Sequence, residues 1–160
     1  MCSSDLRTRT ECGSDVFSKI VEAEQEDGRR ILFEDNRTVA FIPYFARWAY
    51  EVMIFPKNPV QRLTDLDAAG IHSLSTAFRT ISRKLDLNYG GPFPYVMSVM
   101  QAPVDGGDYP DFRLHVWIQP PFRQPGLVKY LAGPELGAGN FMADTMPEDK
   151  AAELRNIITD

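Results

Sequence analysis

The run Phe112-Arg-Leu-His-Val-Trp-Ile-Gln-Pro-Pro121 constrains the fold of this 160-residue chain more than any other stretch. Phe112, Leu114, Val116 and Ile118 alternate with Arg113, His115, Trp117 and Gln119. This is the two-residue period of a strand with one face in a core and the other free to present chemistry. The alternation puts His115 on the presented face. Pro120 and Pro121 have no N–H to give a ladder, so the strand ends there and the chain turns back over the sheet. The return is Lys129-Tyr-Leu-Ala-Gly-Pro-Glu-Leu-Gly-Ala-Gly-Asn-Phe141, read as a loop. Its glycines, Gly137 among them, let the backbone approach a polar ligand closely, while Lys129, Glu135 and Asn140 supply polar groups.

The rest of the chain reads as scaffold for this pair. Val16, Phe17, Ile20 and Val21 mark a short amphipathic helix with Ser14 or Asp15 as N-cap and Asp27-Gly28 as its stop. Arg30 to Glu34 and Thr38 to Ile42 form a hairpin across Asp35-Asn36. Tyr50 to Phe55 is a third strand, with Val52 and Ile54 on one face and Glu51, Met53 and Phe55 on the other. A long helix starts at Thr64-Asp65 and buries Leu66, Ile71, Leu74, Ala77, Phe78, Ile81 and Leu85, with His72 at the boundary of that stripe. A Gly/Pro loop from Asn88 leads to a strand over Tyr95 to Gln101. Thr145-Met-Pro-Glu148 reads as a capping box opening a last helix, with Ala151, Leu154, Ile157 and Ile158 buried. Strands in hairpin order with helices before, between and after them predict an α+β domain over residues 15–160: an antiparallel sheet of about five strands with flanking helices.

Net charge is −5 with acids and bases interspersed, so the concentrated positive patch that nucleic acid or an anionic membrane requires is absent. No apolar run approaches the roughly 20 residues of a membrane helix. Residues 1–14 read as a polar leader without a signal-peptide core, and a cytoplasmic protein is expected. Cys2 and Cys12, both in that leader, have no histidine nearby and read as free thiols.

Five blocks in order resemble the C-terminal half of the galactose-1-phosphate uridylyltransferase family: Pro43-Tyr-Phe-Ala-Arg-Trp-Ala-Tyr-Glu-Val-Met-Ile-Phe-Pro-Lys57; Leu63-Thr-Asp-Leu66; Pro92-Phe-Pro-Tyr-Val-Met97 with Gln101-Ala-Pro103; Leu114-His115 with Pro120-Pro121; and Lys129-Tyr-Leu-Ala-Gly133 with Glu135. The resemblance implies a histidine-triad-like fold. It also implies an enzyme that moves a uridylyl group between UDP-glucose and a hexose 1-phosphate through a covalent uridylyl-histidine. That nucleophile belongs to a His-Pro-His motif of the family's N-terminal half. This sequence holds two histidines, His72 and His115, and no His-x-His, so no catalytic residue is assigned here.

The resemblance further implies that Lys129 and Glu135 contact the hexose phosphate of a neighbouring active site, with Gly137 and Asn140 on the same segment. Some family members hold a structural metal on a His-x-His of the strand matching Leu114 to Trp117. Here His115 matches the first histidine, Trp117 replaces the second, and Met100 replaces a further one. No metal and no cofactor is therefore expected, and His115 is read as a residual site whose default is a hydrogen-bonded histidine on the inner sheet face. The expected function is the C-terminal portion of a hexose-1-phosphate uridylyltransferase, partnered by an N-terminal half or by a second copy. The alternative is a non-catalytic module that binds a sugar phosphate or nucleotide, or that serves assembly. A free-standing histidine-triad hydrolase is disfavoured by the missing motif.

Overall fold

The computed structural model describes residues 15–124 and 126–159; the leader, both cysteines and Ser14 lie outside them. In chain order the elements are α1 (Val16–Asp27), β1 (Ile31–Glu34), β2 (Thr38–Phe41), β3 (Val52–Pro56), a 3-10 turn (Leu63–Asp65), α2 (Ala68–Tyr89), β4 (Val96–Met100), β5 (His115–Gln119), β6 (Phe122–Gln124), β7 (Leu127–Val128), α3 (Gly133–Ala138) and α4 (Pro147–Arg155). β1 to β5 form one sheet in the order β1-β2-β3-β5-β4, every neighbouring pair antiparallel. β6 and β7 make a separate small hairpin.

β5 sits inside the sheet, Trp117 facing Met53 on one side and Ser98 on the other. Both faces of the sheet are covered. On one, Ala40, Ile54, Val116 and Ile118 pack against Leu74, Ala77, Ile81 and Leu85 of α2 and Ala151 and Leu154 of α4. On the other, Val39, Phe41, Met53 and Phe55 pack against Phe17 and Val21 of α1. Each Val, Leu, Ile, Phe or Met among these contributes about 1.5–3 kcal/mol by leaving water. The face of β5 expected to stand open is therefore closed by α1. Asp15 caps that helix by accepting from the Ser18 N–H at 2.7 Å, and Gly28, at φ 71°, ends it in the left-handed conformation.

Four local expectations are corrected. α2 begins at Ala68, because Asp65 turns back to accept from the Arg62 N–H and the chain stays extended through Asp67, which becomes the N-cap. Ile71 is then left half exposed. The Thr145 capping box does not form: Met146 occupies the cap position, and Glu148 is drawn to Arg30 instead. The helix stops at Arg155, leaving Ile158 in solvent. Finally, the glycine-rich return is not all loop, since α3 forms inside it with Gly139, φ 68°, as its left-handed terminus.

Candidate functional site

His115 opens β5 with none of its surface exposed. Its ring lies 4.7 Å from that of Phe17 and 4.9 Å from that of Phe55, centroid to centroid, with Phe112 beyond. Nδ1 is 2.8 Å from the Arg113 carbonyl oxygen, which can only accept, so Nδ1 carries the proton. Nε2 is buried without a hydrogen-bond partner among the described residues. Burial pushes the imidazole below its ordinary value, which favours its neutral form. Its ring stands on the inner face of the sheet, and it lines none of the clefts described below.

Two residues along β5, Trp117 reaches a different kind of neighbour. Its indole N–H donates to Glu51 at 2.6 Å, and the other carboxylate oxygen of Glu51 accepts the backbone N–H groups of Arg47 and Trp48 at 2.6 and 3.1 Å. Glu51 is fully buried; burial pushes its carboxyl above the usual range while these donors pull it back. The carboxylate thus fixes the turn that carries Arg47. Sequence reasoning missed this role, although a glutamate sharing a strand face with Met53 and Phe55 is a signal, because a buried acid must find donors.

From that turn the bonding continues into the glycine-rich segment. Lys129, almost wholly buried, donates from Nζ to the carbonyl oxygens of Arg47 at 2.7 Å and Met142 at 2.6 Å, and lies 3.5 Å from Asp144. Glu135 accepts from the N–H groups of Ala132 at 2.9 Å and Met142 at 3.3 Å, and the first of these holds its carboxyl below the usual range. Lys129 and Glu135 therefore clamp residues 132–144 into one shape. Asn140 and Gly137 are exposed on the outside of that shape. Arg47, exposed, lies with its guanidinium 4.7 Å above the Phe141 ring.

Two clefts flank this arginine. One, of about 390 Å³, is walled by Tyr44, Arg47, Gly139 and Asn140; the other, of about 260 Å³ and mostly apolar, by Trp48, Val96, Leu131 and Phe141. A larger cleft of about 620 Å³ lies at the start of α2, where Arg37 is paired with Asp67 and Asp67 caps the helix by accepting from the Gly70 N–H, so its charged groups are already engaged. His72 is exposed on α2, away from these clefts.

Where the family's metal ligands would stand, the chain offers His115, Trp117 and Met100, the last directly opposite His115 in the ladder. One imidazole closed in by phenyl rings, an indole and a thioether do not make a zinc or iron site, and the residues do not fit such a metal. Among the described residues no helix is long and apolar enough to cross a membrane.

The model of the galactose-1-phosphate uridyl transferase C-terminal domain matches residues 5–160. A galactose-1-phosphate uridylyltransferase of Thermotoga maritima is 31% identical over 138 residues, which are 86% of this chain and 43% of that protein. A solved uridylyltransferase superposes with a TM-score of 0.86 at 33% identity, covering 96% of this chain and 48% of the other. The C. elegans NitFhit protein, at 20% identity and a TM-score of 0.54 over 80% of this chain and 27% of its own, shares the fold alone. The chain thus spans half or less of the length of the uridylyltransferases it matches. By the match of residues 5–160 to that domain, the chain belongs to the galactose-1-phosphate uridylyltransferase family, as the C-terminal domain.

Proposed function

We propose that this chain serves as the C-terminal part of a hexose-1-phosphate uridylyltransferase, contributing hexose-phosphate contacts and scaffold to an active site whose nucleophilic histidine stands on an N-terminal half. The observation that carries this reading is the family match over residues 5–160, together with the absence of any His-x-His from the sequence. The segment holding Lys129, Glu135, Gly137 and Asn140 supplies the contacts, with Lys129 and Glu135 setting its shape and Asn140 and the backbone at Gly137 facing outward. UDP-glucose and galactose 1-phosphate are the substrates of the completed site, and the compartment is the cytoplasm.

The edge of the sheet supports a partner. β4 is the last strand on its side, and Val96, Met97 and Val99 are all exposed on it. An apolar strand with one unpaired backbone edge is a surface for another sheet. Either an N-terminal half or a second copy of the chain covers it.

The test is uridylyl transfer from UDP-glucose to galactose 1-phosphate by the purified chain, alone and mixed with a candidate N-terminal half. Activity in the mixture only is expected. Activity from the chain alone would overturn the assignment of the nucleophile to another half. Silence in both would replace the transferase reading with that of a binding or assembly module.

A further inference from the structure

We propose that Arg47 is the cation through which this domain recognises the phosphate of its ligand, a sugar phosphate ester or the diphosphate of a UDP-sugar. The inference rests on the function proposed above and names the group that does the recognising.

Three cations lie around the segment from Lys129 to Asp144. Lys129 is engaged: an ammonium has three protons to donate, and Nζ faces the carbonyl oxygens of Arg47 and Met142 and the carboxylate of Asp144. With only 5% of the residue exposed, it reaches a ligand only by releasing the segment it holds. Arg123 is neutralised by the same aspartate, Nε lying 2.8 Å from Asp144 Oδ2. Arg47 differs from both. Among the described residues its guanidinium donates no hydrogen bond, and no carboxylate lies within ion-pair distance of it; Glu51, the nearest acid of the turn, is engaged with backbone N–H groups and with Trp117.

The same residue is held at both ends. Its N–H donates to Glu51 and its carbonyl accepts from Lys129, so the side chain starts from a fixed base. The Phe141 ring, 4.7 Å beneath, holds the guanidinium plane at the seam between the two clefts. A planar fork of N–H donors that makes no hydrogen bond among the described residues suits two phosphate oxygens at once, and little freedom is lost on binding because the fork is already placed. Asn140, on the wall of the 390 Å³ cleft beside Arg47, offers an amide to the hydroxyl groups beside that phosphate. Phosphate recognition therefore falls to an arginine outside the glycine-rich segment, while the segment's own lysine acts from within.

The experiment is an isotope-edited NMR titration of the chain and of its Arg47→Ala and Arg47→Lys variants with galactose 1-phosphate, UDP-glucose and unphosphorylated galactose. Galactose 1-phosphate is expected to shift the Arg47, Gly139 and Asn140 signals, with affinity about tenfold lower in Arg47→Ala and less reduced in Arg47→Lys. The same loss confined to UDP-glucose identifies the diphosphate as the group received. Unchanged affinity for both phosphates in Arg47→Ala overturns the role of Arg47 and leaves the proposed function standing. An equal loss for galactose shows a merely structural effect and overturns it too. Failure of the unsubstituted chain to bind either phosphate at millimolar concentration removes both this inference and the hexose-phosphate reading beneath it.

Discussion

His115 and Lys129 are both buried and polar, yet their surroundings hold them by opposite means. Around His115 the neighbours are rings, Phe17, Phe55 and Phe112, with one polar bond, from Nδ1 to the Arg113 carbonyl just before the strand. Around Lys129 the neighbours are carbonyl oxygens and a carboxylate, with one ring, Trp48, 5.8 Å from Nζ, and apolar packing is thin: Tyr130, Leu136 and Met142 are all exposed. The sheet is held by area, whereas the glycine-rich segment is held by a few directional bonds. Removing one methyl from the first is absorbed by many neighbours; removing one donor from the second frees a whole stretch.

The sharpest test of the apolar side is Phe55→Ala. Phe55 is fully buried and in ring contact with Phe17, Phe41 and His115, so the substitution should cost about 3–5 kcal/mol of global stability. Denaturant unfolding followed by circular dichroism measures it, and a loss under about 1 kcal/mol would remove this face as the seat of stability. On the polar side, Lys129→Met leaves two part-buried carbonyls without that donor, with an expected cost of about 2 kcal/mol expressed locally. Amide exchange at residues 139–144 should speed up roughly thirtyfold while the unfolding midpoint moves little. A full drop in the midpoint with no local acceleration would show the segment to be part of the global fold.

The smallest effect is a pH dependence. The ordinary imidazole value is 6.5 and burial lowers that of His115, so just below pH 6.5 the unfolded chain takes up a proton that the native one refuses. This histidine's contribution is complete above pH 6.5 and is lost as pH falls toward the lowered value, with a slope no steeper than about 1.4 kcal/mol per pH unit. Glu51, whose carboxyl is raised, has the opposite sign: its contribution is present at low pH and lost as pH rises through the raised value. The stability difference between the chain and His115→Phe, followed from pH 5 to 8, isolates the histidine. A difference independent of pH would show that the imidazole is not buried in its neutral form.

The sheet is legible in the sequence because its strands alternate cleanly: Val52 and Ile54 against Met53 and Phe55 mark two apolar faces on β3 by residue type alone, and both faces are buried. That double apolarity also implies a second covering layer, but the polar side chains of Arg113 and His115 at the start of β5 mask it. Helix starts are less legible, since Asp65 and Glu148 each obey a local capping rule and each is claimed by something else, Asp65 by the Arg62 N–H and Glu148 by Arg30. Within the candidate site, Lys129 and Glu135 stand out by their chemistry. Their partners do not, because the carbonyl oxygens of Arg47 and Met142 and the N–H of Ala132 belong to the backbone and leave no mark on residue identity. Arg47 is equally hidden, as an exposed arginine is ordinary until its place over the Phe141 ring is known.

α4 carries a consequence for the order in which the chain assembles. A helix of nine residues is far below the length that persists alone in water. Its beginning is anchored by Glu148 on Arg30, and its end by Lys84, whose ammonium donates to the carbonyls of Leu154, Arg155 and Ile157. Both anchors come from elements that must already be in place, β1 beside α1 at one end and α2 at the other. α4 is therefore expected to condense late, which measured folding and unfolding rates of Glu148 and Lys84 variants test. Substitutions at Glu148 or Lys84 then leave the speed of folding nearly untouched and act by letting the finished domain come apart sooner.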